Sequence, residues 1–80
     1  MEQQSQVAIV TGSAGGIGEA VARLLAQRGD RVVVADLRED AAEETAARLR
    51  QEGLQAIAIQ VDVGDAASVA RLVERTLAHW

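Results

Sequence analysis

The 80-residue sequence predicts an α/β fold, half of a doubly wound parallel sheet with elements in the order β-α-β-α-β-α. Three observations predict it. Short apolar runs rich in β-branched residues recur at Val7–Val10, Val32–Ala35 and Ala56–Val61. A stretch of helical periodicity follows each run. Each strand and helix pair fills roughly 25–30 residues, the scale of a βαβ unit. Strands joined through helices run parallel, and right-handed crossovers put the first two helices on one face, which gives the sheet order 3-2-1.

Taken in order, Val7-Ala8-Ile9-Val10 is almost continuously apolar, as in a strand buried on both faces, and it ends in Thr11-Gly12. Ile17, Val21, Leu24 and Leu25 follow at helical spacing, stopped by Gly29-Asp30. Val32-Val33-Val34-Ala35 is the second strand, ended by Asp36. From Asp40 to about Gln51 a helix presents Ala42, Thr45, Ala46 and Leu49 on one face, with Gly53 just past its end. Asp40 and Glu43 have capping-box spacing, which makes Asp40 the expected N-cap. Ala56 to Val61 is the third strand, with Ile57, Ile59 and Val61 on one face. Asp65 is the expected N-cap of a last helix through Ala78, apolar at Val69, Leu72, Val73, Thr76 and Leu77.

Composition narrows the class. Apolar residues make up 49%, but 16 of the 39 are Ala, so core volume rests on ten Val, seven Leu, four Ile, Met1 and Trp80. Residues 1–80 are one small domain at most, burying only about 60% of the surface of its unfolded chain. Cysteine is absent, which excludes disulfides and thiolate metal sites and makes a cytoplasmic chain the expectation. The net charge of −4 has the wrong sign for a nucleic-acid binder. No apolar run approaches the ~18 residues of a membrane span, and the start, Met-Glu-Gln-Gln-Ser-Gln, has no basic leader region. All eight cations are Arg, and Tyr and Lys are absent, so no chemistry that needs a phenol or an amine is completed within these residues.

The informative stretch is Thr11-Gly12-Ser13-Ala14-Gly15-Gly16-Ile17-Gly18, placed where a strand hands over to a helix. A helix N-terminus at the carboxyl end of a parallel strand offers unpaired N–H groups and a positive dipole end to a pyrophosphate. Gly12 permits the turn, Gly16 leaves room for phosphate against the backbone, and Gly18 lets helix and strand approach. Asp36, 18 positions past Gly18, ends the second strand, where a carboxylate accepts hydrogen bonds from the adenosine ribose and repels a 2′-phosphate. That favours NAD over NADP, although the nearby Arg38 offers a guanidinium to a 2′-phosphate. Asp62-Val63 follows the third strand, so all three strand ends meet at one crevice.

The spacing Thr-Gly-x-x-x-Gly-x-Gly, with Asp36 and Asp62-Val63 in order behind it, closely resembles the short-chain dehydrogenase/reductase family over essentially the whole chain, Gln6 to Trp80. The resemblance implies a Rossmann fold whose glycine turn holds the pyrophosphate, with Asp36 selecting NAD and Asp62-Val63 meeting the adenine. It places Ser13 and Ile17 against the phosphate and ribose portion. Gly15 within the loop and Leu37 beside Asp36 complete the cofactor-binding set. The family pattern continues with a fourth strand ending in Asn-Asn-Ala-Gly, a catalytic Ser and Tyr-x-x-x-Lys, none of which is present here. The chain therefore reads as the N-terminal cofactor portion of a reductase acting on an alcohol or carbonyl. The expectation is a chain with no catalytic residue, inactive alone, that either self-associates through an open Val7–Val10 edge or is ordered only with complementary segments of the parent.

Two other readings stay open. A methyltransferase binding S-adenosylmethionine also uses a glycine turn and a second-strand acid, but its loop usually opens on an acidic residue where Val10-Thr11 stands here. A non-catalytic module that binds a nucleotide or a second copy is the other. A P-loop phosphotransferase is excluded, because no Gly-Lys-Ser/Thr follows the glycines. His79 has no companion ligand for a metal, Trp80 reads as core packing, and Arg48, Arg50, Arg71 and Arg75 read as a solvated polar surface.

Overall fold

The computed structural model describes residues 6–80; the leader reading and Met1 fall on residues 1–5, outside the described residues. Three strands, β1 (Val7–Thr11), β2 (Arg31–Asp36) and β3 (Ala56–Gln60), alternate with three helices, α1 (Gly16–Gln27), α2 (Glu39–Gln51) and α3 (Ala66–His79). The sheet order is β1-β2-β3 with both pairs parallel, as the crossover rule requires. The register sets Val7 beside Arg31, Val33 beside Ile57 and Asp36 beside Gln60.

The alternation of β2 divides the core in two. Val32 and Val34 point to the face covered by α1 and α2, where they meet Ala22, Ala26, Ala42, Ala46 and Leu49. Val33 and Ala35 point to the other face and meet Ile59, Val61 and Leu72, with Ile57 and Trp80 packed at the margin. All four β2 residues are fully buried, which is why that run carries no polar alternation. Small Ala side chains on α1 and α2 let both helices lie close to the sheet. Both helices end in paired reverse bonds. Asp30 N–H donates to Leu25 O and Gly29 N–H to Ala26 O after α1, and Leu54 N–H donates to Leu49 O and Gly53 N–H to Arg50 O after α2.

Four expectations change. β1, read as buried on both faces, has no fully buried residue, because only β2 flanks it. In α1 the buried residues are Ala22 and Ala26, while Ile17, Val21 and Leu24 of the expected stripe are exposed. α2 begins at Glu39 with Arg38 at the N-cap, so Asp40 lies inside the first turn and is not the cap. The cause is the Asp36 carboxylate, which accepts from Arg38 N–H at 3.0 Å and turns the chain into the helix two residues early. The buried row of α3 is Ser68, Leu72 and Thr76, while Val69, Val73 and Leu77 are 37%, 44% and 74% exposed. Three strands are too narrow to cover the whole apolar stripe. Asp65 does cap α3, accepting from Ala67 N–H at 3.1 Å. Among the described residues no helix is long and apolar enough to cross a membrane.

Candidate dinucleotide site

The three strand ends, with the loops at 12–15, 36–38 and 61–65, meet at the carboxyl edge of the sheet. Gly12, Gly15 and Gly16 have φ of 68°, 106° and 60°, in the left-handed region that L side chains rarely adopt. A Cβ at any of the three would project into open space, so this side of the loop is a free surface. Gly18 differs. Its added Cβ would collide with the carbonyl oxygen of Gly12 and fall 2.8 Å from Ser13 Cα, because α1 lies directly against the turn.

No side chain caps α1, and Glu19 N–H is the first donor of the helix to find a backbone acceptor, Gly15 O at 3.1 Å. The N–H groups of Gly16, Ile17 and Gly18 have no intramolecular acceptor among the described residues. They stand at the positive end of a 12-residue helix beside an open loop, which suits an anion.

Asp36 is joined to this loop. Its Oδ2 accepts from Ala14 N–H at 3.1 Å, and its Oδ1 accepts from Arg38 N–H at 3.0 Å. The Arg38 side chain crosses back, with Nη2 donating to Ala14 O at 2.8 Å and Nε 3.5 Å from Asp36 Oδ1. Asp36 is 8% exposed. Its carboxyl lies below the usual carboxylate range, chiefly through the Arg38 N–H, with the Ala14 N–H and the Arg38 charge adding against burial. It is an anion at neutral pH, held beside the helix N-terminus by bonds from the loop itself.

The other predicted residues take different places. Ser13 is fully buried, its hydroxyl donating to Val10 O at 2.6 Å and its N–H to Ala35 O at 3.4 Å. Both donors of Ser13 are thus engaged within the protein. Ile17, in the first turn of α1, and Leu37 and Val63, in the second and third loops, are 85%, 61% and 68% exposed. Asp62 is exposed, and its Oδ1 accepts from Gly64 N–H at 3.0 Å. Gln60 Nε2 donates to Leu37 O at 3.1 Å, linking the second and third loops. Sequence reasoning missed the Arg38 bridge to Ala14 and the buried Ser68 hydroxyl, which accepts from Asp62 N–H at 2.9 Å. Ser68 has a sequence signal: it stands three residues past the cap Asp65.

The chain is similar in sequence and in fold to known proteins. The family profile described as short chain dehydrogenase matches residues 6–80. A cis-4-hydroxycyclohexanecarboxylate dehydrogenase of Sinomonas cyclohexanicum is 48% identical over 75 residues, covering 94% of this chain and 30% of the relative. Versicolorin reductase 1 of Aspergillus parasiticus is 47% identical over 77 residues, covering 94% and 29%. Sorbitol dehydrogenase of Cereibacter sphaeroides is 42% identical over 80 residues, covering 100% and 30%. Among solved structures, a hydroxysteroid dehydrogenase from Escherichia coli superimposes with a TM-score of 0.90 at 32% identity, over 92% of this chain and 32% of that one. The chain spans about 30% of the length of the curated relatives it matches. With the family profile matched over residues 6–80, the chain belongs to the short chain dehydrogenase family.

Proposed function

We propose that this chain holds the adenosine and pyrophosphate portions of NAD, and that the whole protein is an oxidoreductase acting on an alcohol or carbonyl. Family membership implies a nicotinamide dinucleotide, NAD or NADP. The observation that carries the reading is the juxtaposition at α1. Three N–H groups without partners face an open loop, and the ionised Asp36 is bonded to that loop at Ala14. Gly12, Gly15, Gly16, Ile17 and Gly18 present the pyrophosphate surface, and Gly18 keeps α1 close enough for its N–H groups to reach it. Asp36 offers its remaining lone pairs to the ribose hydroxyls, with Leu37, Asp62 and Val63 around the adenine. Ser13 secures the loop to β1 through Val10 O.

NAD supplies the hydride acceptor, and this chain's residues bind and orient it. The 80 residues contain no Tyr and no Lys, so the proton-transfer group of the proposed reaction comes from sequence outside them, and these residues alone give no turnover. A cytoplasmic location and a self-associated state belong to the same proposal.

Calorimetric titration tests it. The chain is expected to bind NAD more tightly than NADP and to ignore S-adenosylmethionine. Asp36→Ala removes the acceptor for the ribose and frees the Arg38 guanidinium for a 2′-phosphate, so the preference shifts toward NADP. A tenfold shift corresponds to about 1.4 kcal/mol. Tighter binding of NADP to the unmodified chain refutes the role given to Asp36, and binding of S-adenosylmethionine alone refutes the dinucleotide reading.

A further inference from the structure

The flank of α3 that faces the outer edge of β3 carries Arg71, Arg75 and His79, one per turn at i, i+4 and i+8. Arg75, Ala78 and His79 line a groove of about 380 Å³ against Ile57, Ala58 and Ile59. This groove lies along the side of the sheet, away from the glycine loop. Arg23, Arg28, Arg38, Arg48 and Arg50 each pair with a carboxylate, whereas Arg71, Arg75 and His79 pair with none among the described residues. Arg75 and His79 therefore stand in the groove without a carboxylate partner among the described residues, and Arg71 lies one turn before them on the same flank, outside the lining.

The strand beside them is open. Val32 N–H donates to Gln55 O and Val61 N–H donates to Asp36 O, each at 3.0 Å. In a parallel ladder that phase turns Gln55, Ile57, Ile59 and Val61 toward β2 and leaves Ala56, Ala58 and Gln60 pointing outward. Arg50 Nη1 confirms the phase, because it reaches Ala56 O from outside at 3.0 Å. The N–H and C=O of Ala58 have no partner among the described residues, and Ala58 lines the groove.

We propose that the outer edge of β3 takes up an extended acidic segment of a partner protein. The segment adds as a strand beside Ala58 and sets alternate carboxylates against Arg71, Arg75 and His79. Spacing and charge both support this occupant. Groups four residues apart on a helix repeat every ~6 Å, and alternate side chains on a strand repeat every ~6.6–6.8 Å. A Glu-x-Glu-x-Glu strand thus meets the three basic groups almost in phase. A second copy of this chain is disfavoured at the same edge. Antiparallel pairing of two β3 strands about a twofold axis would put both α3 helices on one face, with like-charged stripes opposed.

The test uses the 80-residue chain and a fluorescein-labelled peptide of alternating Glu and Thr, with an alternating Lys and Thr peptide as control. Fluorescence anisotropy is expected to show the acidic peptide bound on the order of tenfold more tightly than the basic one. The exposed double substitution Arg71→Glu, Arg75→Glu is expected to reverse that order. Amide exchange at Ala58 is expected to slow at saturating acidic peptide. Ala58→Pro, tolerated at an edge because that N–H points away from β2, is expected to abolish binding. Equal binding of the two peptides, or an Ala58 amide that exchanges as fast with peptide as without, overturns the proposal and leaves the stripe as a guard against edge pairing. Concentration-dependent protection of Ala58 in the peptide-free chain overturns it in favour of a second copy.

Discussion

Gly18 and Asp36 fix the glycine loop from opposite sides, Gly18 by having no side chain and Asp36 by the bonds its side chain accepts. Gly18→Ala pushes a methyl group into the Gly12 carbonyl and Ser13 Cα, both backbone atoms that cannot step aside. The expected cost is about 1–3 kcal/mol. Thermal melting should show a fall of at least several degrees, since 1 kcal/mol moves the midpoint of a domain this size by roughly 4–8 °C. Asp36 brings a pH dependence. Its folded carboxyl ionises below the unfolded value of about 3.9, so the unfolded chain binds more protons in that range. Its stabilisation is complete above that value and disappears as pH falls through the folded one. Glu19, lowered mainly by Arg48 and also by Arg23, adds a second loss of the same sign. Urea midpoints followed from pH 7 to pH 3 should fall more steeply for the unmodified chain than for Asp36→Asn, which keeps only the Glu19 part. Asp36 was singled out in the sequence as an acid at a strand end, without its bonds to the loop, and the close approach at Gly18 was legible because a helix packed on its own turn leaves no room for a side chain. The Arg38 bridge was not, because a long flexible cation two residues past a strand has many reachable acceptors, and only the folded loop selects Ala14 O.

Helix boundaries show where local chemistry predicts an element and where its neighbours decide. Asp65 was legible as the α3 cap, since a short carboxylate before an apolar run has one favourable use. Asp65→Ala should cost about 1 kcal/mol, read as a lower denaturation midpoint. Asp40 had the same local signature, yet the bond between Asp36 and Arg38 N–H starts α2 earlier and leaves Asp40 inside the first turn, where an acid meets the positive end of the helix dipole. Asp40→Ala should therefore cost a few tenths of a kcal/mol, within the range for an exposed first-turn acid. Equal losses in the two variants would place a working cap at Asp40. The buried face of α2 was read correctly from Ala42, Thr45, Ala46 and Leu49, because that helix lies over two strands and its apolar row matches its contact. For α3 the apolar pattern is wider than the contact. Ser68 and Thr76 enter the buried row because each satisfies its hydroxyl close by, Ser68 at Asp62 N–H and Thr76 at Leu72 O.

At the scale of the molecule, sheet order followed from connectivity, and in that order the outer edge of β1 pairs with no other strand among the described residues. That edge is bordered by apolar surface on both faces. Val7 and Ile9 are 42% and 38% exposed on the α3 face, where Val69, Val73 and Leu77 continue the patch from the flank opposite Arg75. On the other face α1 turns Glu19 and Arg23 toward α2, so Ile17, Val21 and Leu24, on its far flank, overhang the β1 edge. No charged residue occupies β1, in contrast to the basic stripe beside β3, so nothing on the strand opposes pairing. Exposed apolar surface of this extent around an unpaired strand favours association, either with a second copy or with segments such as those that make up the remaining two thirds of the relatives. Sedimentation of the 80-residue chain at micromolar concentration should therefore give a mass above the 8.4 kDa monomer. Ile9→Lys puts a charge on the exposed side of the edge strand without entering either buried cluster, and should return the chain toward monomer while leaving its far-UV helicity in place. A cooperatively folded monomer before substitution would mean that β1 is stable with one neighbour. Association unchanged by Ile9→Lys would move the contact to the α1 or α3 stripe, where Leu24→Lys and Leu77→Lys distinguish the two.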